Sequence, residues 1–307
     1  MKMKSARAVW QGKPMEHNLI ERPAGVVSWV ERGTKELAFL GGREARAESE
    51  KILEALFKIP KFELYFPPEA ENNFEPAFFP SFKKIIEARK KRIPLAYLLK
   101  QVSFWEDELE IEEGVFIPRP ETEILIETFL KKSGFSRDDS FQFLDWGTGS
   151  GNIAVTVAKL FPKSTGVGLD LSEKALAVSA RNAKRLGVSA RLCRIPATWP
   201  ESFKEKEFDI IFSNPPYIPS ADCEKLEPEV QHEPRLALDG GPDGLDFYRT
   251  ISGNLTCLKP GGSLWVEIGL GQSEAVSSLF KKNFDEVEVF KDLNQIDRVV
   301  SAKDYCG

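Results

Sequence analysis

Apolar residues recur three and four positions apart in SEKILEALFKI and again in FFPSFKKIIEARKK, so the chain from about Val27 to Arg92 is predicted to be helical. Pro60, Pro67, Pro68, Pro76 and Pro80 divide that stretch into short helices. Between Val102 and Ile117 the period shortens toward two, as in LEIEEGVFI, which predicts a strand pair with Gly114 near its turn and a hinge between two domains. From Phe141 onward, short apolar runs (FQFLDW, TGVGLDL, ARLCRI, FDIIFS, SLWVEIG) alternate with longer helical patterns (GNIAVTVAKLF, SEKALAVSARNAKRLG, GLDFYRTISGNLTCL). Strands alternating with helices predict a parallel sheet wound with helices, an α/β fold. The tail segments EVEVFKDL and DRVVSAK predict a closing pair of strands.

Composition narrows the picture. At 307 residues, with 42% apolar residues and 22 Phe, the chain has material for a sizeable core in two domains, or in one with an appendage. A net charge of −5 argues against coating nucleic acid through a broad basic surface, so no direct nucleic-acid partner is expected. Lys83, Lys84, Arg89, Lys90, Lys91 and Arg92 form a local basic cluster, expected to be a solvated helix face. No apolar run approaches the roughly 20 residues of a membrane span, and no hydrophobic segment follows the charged start, so no membrane partner is expected. The four cysteines are scattered and the only histidines are His17 and His232, a distribution that predicts no metal site and a reducing, cytoplasmic location.

Two motifs carry chemistry. The first is Asp145-Trp146-Gly147-Thr148-Gly149-Ser150-Gly151-Asn152, placed between a predicted strand and a predicted helix, where glycines let the backbone turn sharply and approach a ligand. The next strand ends in Asp170, about twenty residues on, where an acid can accept hydrogen bonds from both ribose hydroxyls. A dinucleotide loop has the spacing G-x-G-x-x-G; here it is G-x-G-x-G, with Asp145 two residues before the first glycine. An acid there would repel a pyrophosphate and suits a ligand with an ammonium group. S-adenosylmethionine, with its amino-acid end and sulfonium, fits better. A P-loop is excluded because no Gly-Lys-Ser/Thr follows.

The second motif is Ser213-Asn214-Pro215-Pro216-Tyr217, directly after the apolar run expected to be the fourth strand of the sheet. Two prolines cannot continue a ladder, and they stiffen the turn at a strand's carboxyl end, where α/β folds collect ligands. An amide nitrogen attacks a methyl group poorly because its lone pair is delocalised. A site must therefore hold the NH₂ by its protons and aim it. The Asn214 side-chain oxygen and the Pro215 carbonyl are two candidate acceptors, and the Tyr217 ring can pack against a planar group. No general base is required, since the methylated nitrogen becomes strongly acidic and loses its proton to solvent.

The pairing of D-x-G-T-G-S-G with N-P-P-Y resembles S-adenosylmethionine-dependent methyltransferases that act on planar nitrogens. Three further segments narrow the resemblance to the release-factor glutamine methyltransferases, the PrmC/HemK family: VFIPRPETE (Val115 to Glu123), EVQHEPRLALDGGPDGLDFYR (Glu229 to Arg249), and IPLAYLL (Ile93 to Leu99) followed by Phe104. The resemblance runs from about residue 28 to the end. It implies a Rossmann-like class I methyltransferase domain with a mostly parallel seven-stranded sheet over 119–307, a helical substrate-recognition domain over 28–100, and a β-hairpin linker over 101–118. Residues 1–27 remain unassigned.

The reaction implied is methyl transfer from S-adenosyl-L-methionine to the glutamine amide in the Gly-Gly-Gln motif of peptide chain release factors. By motif position, Gly147, Thr148, Gly149, Ser150, Gly151, Asp170, Trp199 and Asn214 would hold the cofactor. Asn214, Pro215, Pro216 and Tyr217 would hold the glutamine, with Asn214, Pro215 and Tyr217 carrying catalysis. The chain departs from the family pattern at Ala197-Thr198, where an acid usually precedes the aromatic, and at Lys100, where Gly is common. Arg119 and Glu121 are read either as closing the cofactor pocket or as steadying the hinge, and Phe104 as either a pocket cap or packing. The rival readings are a glutamine methyltransferase of a ribosomal protein, a nucleic-acid base N-methyltransferase, and a binding protein that has kept the fold.

Overall fold

The structure, a computed structural model, describes residues 26–65, 78–198, 203 and 205–307. Two compact units divide it, Met1–Ile86 and Glu87–Gly307.

Within the first unit lie α1 (Val26–Glu36), α2 (Gly42–Phe57), α3 (Lys61–Tyr65) and the first part of α4 (Phe79–Lys90). The apolar spacing of α1 and α2 buries Val30, Leu37, Ile52 and Leu53. Trp29 packs against Phe78, Phe79 and Phe82, with ring centroids 5.0, 5.5 and 5.3 Å away. The buried Glu50 of α2 accepts the Tyr65 hydroxyl and is neutralised by Arg46 and Lys61.

The second unit opens with α5 (Leu95–Leu99) and an antiparallel hairpin, β1 (Gln101–Phe104) and β2 (Asp107–Glu110). Its turn lies at Trp105, with φ of 57°, and not at Gly114. Gly114 falls after the hairpin, in an irregular stretch leading to α6 (Glu123–Lys132). Alternation in EIEEGVFI thus reflects burial of Ile111, Val115 and Ile117 without a ladder.

The remaining elements are β3 (Gln142–Trp146), α7 (Asn152–Leu160), β4 (Thr165–Asp170), α8 (Glu173–Arg185), β5 (Leu192–Pro196), β6 (Phe208–Ser213), α9 (Asp246–Gly253), β7 (Leu258–Glu267), α10 (Ser273–Phe280), β8 (Phe284–Lys291) and β9 (Asp297–Tyr305). The seven-stranded sheet has the order β5-β4-β3-β6-β7-β9-β8, parallel from β5 to β7 and closed by the antiparallel β9 and β8. That is the mixed α/β sheet expected.

The central strands are apolar almost throughout because both of their faces are covered. Phe143, Ile210, Phe212 and Trp265 enter one cluster with α6 and α7, while Leu144, Trp146, Ile211, Leu264 and Val266 enter the other with α9 and α10. Strand order reverses between β3 and β6, which are neighbours in space although β4 and β5 intervene in sequence. A crevice at the carboxyl ends of the strands is expected at such a switch point.

Candidate active site

The glycine loop leaves β3 at Gly147, and the Asn-Pro-Pro-Tyr segment leaves β6 at Asn214. The Ser213 hydroxyl donates to the Trp146 carbonyl at 2.7 Å, which fixes the two exits side by side. Between them and the carboxyl end of β4 lies a cavity of about 450 Å³. Gly147, Thr148, Gly149, Ser150, Asp170, Asn214 and Pro216 line it; Gly151, Pro215 and Tyr217 do not, and Trp199 lies outside the described residues.

Loop geometry explains this division. The Gly147 and Thr148 amides donate to the Leu169 carbonyl at 2.8 and 2.9 Å, and the Gly149 amide donates to Asp170 Oδ2 at 2.8 Å. Gly151, with φ of +82°, turns the chain into α7, where a Cβ would meet Ser179 Oγ at 2.5 Å. It serves helix packing. Since these amides are spent inside the loop, they form no nest for a pyrophosphate, in agreement with the argument against a dinucleotide.

Asp145 is fully buried: its Oδ2 accepts the Thr148 hydroxyl at 2.6 Å and the Ala154 amide at 3.1 Å, while Oδ1 has no partner. Burial, opposed by those two hydrogen bonds and aided by the Asp170 charge, raises its pKa to about 7. It stands behind the loop and does not line the cavity. Asp170 ends β4 with its Oδ1 accepting the Ser172 amide at 2.8 Å, and burial raises its pKa as well. Each of its oxygens accepts one such backbone amide and retains a second lone pair.

The segment Gly114–Thr122 lies across the second wall. Gly114, Val115 and Phe116 line the cavity. The Tyr97 hydroxyl donates to the Val115 carbonyl at 2.7 Å. Glu233, buried in the loop after the Asn-Pro-Pro-Tyr motif, accepts the Ile117 amide at 3.0 Å and pairs with Arg119. At the segment's far end, Asn214 Nδ2 donates to the Thr122 hydroxyl oxygen at 2.9 Å. Arg119 therefore braces the wall, whereas Glu121 is exposed. Phe104 is buried in the core cluster with Leu125, Phe129 and Ile153.

Several residues that hold the site together were not singled out in the sequence. Asn182 of α8 accepts the Glu110 amide at 2.7 Å and donates to the Glu110 and Ser150 carbonyls, both at 3.0 Å, joining the hairpin to the glycine loop. Nothing local in SARNAKR marks it. Glu267 is different, because an acid closing the apolar run SLWVE beside the motif-bearing strand is a readable signal. It is buried at the end of β7, and Tyr217 donates to its Oε1 at 3.4 Å. The Tyr217 ring packs toward Gly269 and the second core cluster, and its hydroxyl pKa is raised, by burial first and then by the Glu267 charge.

One expectation about this region needs correction. Arg89 is not on a solvated face: it is buried and donates to the Ile93 carbonyl at 2.7 Å and to Glu229 Oε1 at 3.2 Å. Arg92 pairs with the same Glu229 at 2.7 Å, so two of the six basic residues anchor the loop after the motif. In the turn before α9, Asp243 accepts the Leu245 amide and pairs with Arg249. The glycines beside it serve packing, since a Cβ on Gly244, whose φ is +77°, would meet the Tyr217 carbonyl at 2.4 Å.

Residues 137–289 match a family described as a methyltransferase domain, and residues 28–99 match one described as the PrmC N-terminal domain. A release factor glutamine methyltransferase from Geobacter sulfurreducens is 40% identical over 281 residues, which is 91% of this chain and 95% of that one. The chain belongs to the family of release factor glutamine methyltransferases. A member from Caulobacter vibrioides is 40% identical over 252 residues, covering 81% of this chain and 86% of its own. Another, from Bacillus subtilis, is 38% identical over 227 residues, covering 72% and 79%. The hMettl16 catalytic domain, solved in complex with MAT2A 3'UTR hairpin 1, superposes with a TM-score of 0.52 at 13% identity, over 76% of this chain and 82% of that one, a likeness of fold.

Membership makes this chain a methyltransferase whose methyl donor is S-adenosylmethionine. The cavity fits that molecule. Its loop spends its amides internally and offers no phosphate nest, and Asp170, which lines the cavity, offers carboxylate oxygens as acceptors there. Among the described residues, no helix is long and apolar enough to cross a membrane, and no group of three or more His, Cys, Asp or Glu is arranged to hold a metal ion.

Proposed function

We propose that this chain methylates the side-chain amide nitrogen of the glutamine in the Gly-Gly-Gln motif of peptide chain release factors. The observation that carries the reading is that likeness to enzymes of that name runs through both the N-terminal residues 28–99 and the motif-bearing catalytic part. A base methyltransferase sharing only the fold and the Asn-Pro-Pro-Tyr motif would lack the first. On this reading the helical residues 28–100 recognise the release factor, 101–118 link, 119–307 catalyse, and the reaction takes place in the cytoplasm, where release factors work.

When bound, S-adenosylmethionine supplies a methyl group activated by its sulfonium. Asp170 accepts from the ribose hydroxyls, Gly147 to Ser150 shape the wall against the donor, and Gly151 acts indirectly by setting the start of α7. Trp199 is assigned to the adenine side. Because Asn214 Nδ2 is committed to Thr122, its Oδ1 is the amide atom left to face the cavity. There it accepts one proton of the substrate NH₂; the Pro215 carbonyl, which does not line this cavity, is the second acceptor that the motif assigns. Pro215 and Pro216 hold these acceptors rigid, and Tyr217 buttresses the turn from behind. Catalysis on this scheme comes from orientation.

The test is to incubate the protein with S-adenosylmethionine and an unmodified release factor, beside a factor carrying alanine in place of the loop glutamine, and map the digests by mass spectrometry. A methyl-group mass gain on the glutamine, absent from the variant, is expected. No gain on the intact factor would overturn the assignment of substrate.

A further inference from the structure

Exposed apolar side chains of the second unit gather at one end of its sheet. Among the described residues of that unit, the large apolar side chains left exposed are Leu171, Leu236, Leu270, Val289 and Leu293. All four leucines lie on loops at the carboxyl ends of the parallel strands, the end that holds the cavity. Leu171 follows β4 and Leu236 lies in the loop after the Asn-Pro-Pro-Tyr motif; both line the cavity, so a ligand bound there covers them. Leu270, after β7, and Leu293, between β8 and β9, are 78% and 89% exposed and do not line it. A ligand confined to the cavity leaves these two bare.

Both stand on turns that hydrogen bonds hold in place. Around Leu270, Gln272 Oε1 accepts the Gly269 amide at 2.9 Å, and Gln272 Nε2 donates to the Tyr217 carbonyl at 2.9 Å and the Gly244 carbonyl at 3.2 Å. The turn that carries Leu270 is thereby fastened to the last residue of the substrate-holding motif. Around Leu293, Asp292 Oδ1 accepts the Asn294 and Ile296 amides at 2.8 and 3.0 Å. Arg298 ties the two turns together: its Nε donates to Asp292 Oδ2 at 3.1 Å, and its carbonyl accepts the Ile268 amide at 2.8 Å. Apolar side chains on turns fixed in this way lose little freedom when a partner covers them.

Strand order says which partner that is. Along the sheet, the cofactor loops leave β4 and β3, the Asn-Pro-Pro-Tyr turn leaves β6, and the two leucines follow beyond it at β7 and at the start of β9. A glutamine held by Asn214 belongs to a protein far too large for a cavity of about 450 Å³, so the chain on either side of it must pass over the rim. The donor fills the β3 and β4 side. We infer that Leu270 and Leu293 form a docking surface, continuous with the substrate-holding motif, for apolar side chains of the release factor that flank its Gly-Gly-Gln loop. This rests on the substrate assignment made above, and it gives the catalytic domain a share in recognition besides that of residues 28–100.

The test measures the affinity of intact, unmodified release factor for the full-length enzyme by calorimetry, and its KM in the methylation assay. Replacing both leucines, Leu270→Ser with Leu293→Ser, should weaken binding and raise KM by about tenfold or more, the loss expected for apolar anchors of an interface. S-adenosylmethionine affinity should stay at the wild-type value, which verifies the fold. Leu270→Met with Leu293→Met, which keeps the surface apolar, should bind as wild type does. Wild-type affinity and KM in the double serine variant would overturn the inference and leave the substrate assignment standing. Self-association of the wild type that the serine variant loses, with release-factor affinity unchanged, would assign the leucines to a contact between copies of this chain and overturn it too. Failure of the wild-type enzyme to modify the release factor would overturn the substrate assignment and this inference together.

Discussion

Asp170 Oδ2 accepts the Gly149 amide at 2.8 Å, so the acid at the end of β4 and the glycine loop at the end of β3 form one structural unit. Removing the carboxylate deprives a ligand of its acceptor and releases the loop. Asp170→Ala is therefore expected to weaken S-adenosylmethionine binding by about tenfold or more, since a hydrogen bond to a charged group contributes about 1.5–3 kcal/mol. Calorimetric titration checks this, and an unchanged Kd would remove Asp170 from the site.

Asn214→Ala separates binding from chemistry. Loss of the oriented acceptor should reduce kcat by about 10²-fold, the scale on which small misplacement costs rate, with cofactor affinity little changed. Single-turnover kinetics with the release factor, alongside calorimetry, reads both quantities. A parallel loss of cofactor affinity would mean that Asn214 acts chiefly on the donor.

The buried Asp145 should leave a signature in stability. Its folded-state pKa is raised from 3.8 to about 7, so the fold favours the protonated acid. That contribution is fully present below the ordinary carboxylate pKa and is lost as pH rises through about 7. Asp145→Asn abolishes the dependence. Its thermal midpoint relative to wild type should be higher at about pH 8 than at about pH 5 by a few degrees, and comparing the two pH values cancels the cost of the new buried NH₂. Equal differences at both would show that Asp145 stays ionised throughout.

Arg119→Ala leaves Glu233 buried with the Ile117 amide as its remaining partner. Burial already raises the Glu233 pKa and Arg119 opposes the rise, so the variant's pKa moves higher still. The loss of stability should be about 1–3 kcal/mol near pH 8 and smaller at a lower pH, as protonation relieves the buried charge. Thermal melts at the two pH values decide it; an equal loss at both would assign the effect to packing.

Much of the fold was legible because its signals are periodic. FQFLDW, TGVGLDL and FDIIFS read as buried parallel strands, and each is one. The alternation in EIEEGVFI misled, since period two records burial on one side and does not require a partner strand. That Asn214 and the glycine loop meet at one cavity was legible because glycines and paired prolines at strand ends are unusual local chemistry. Arg89, Asn182 and Glu233 were not, because each does its work on a residue distant in sequence: Arg89 on Glu229, Asn182 on Glu110 and Ser150, Glu233 on Arg119. Their local surroundings look like ordinary surface. Polar residues of that kind become informative only once the topology has said what lies opposite them.

The adjacency of β3 and β6 has a consequence for a chain emerging from the ribosome. Thr122, the glycine loop and the Asn-Pro-Pro-Tyr turn are all synthesised before Glu267, and the sheet around them is completed only when β9 has paired with β7. Such non-local pairing is slow to form, because the loops it closes are long. A nascent chain ending before β7 would carry both motifs but neither the strand that flanks β6 nor the carboxyl beneath Tyr217. Competence to hold substrate is therefore acquired late in synthesis, after both signature motifs have already left the exit tunnel.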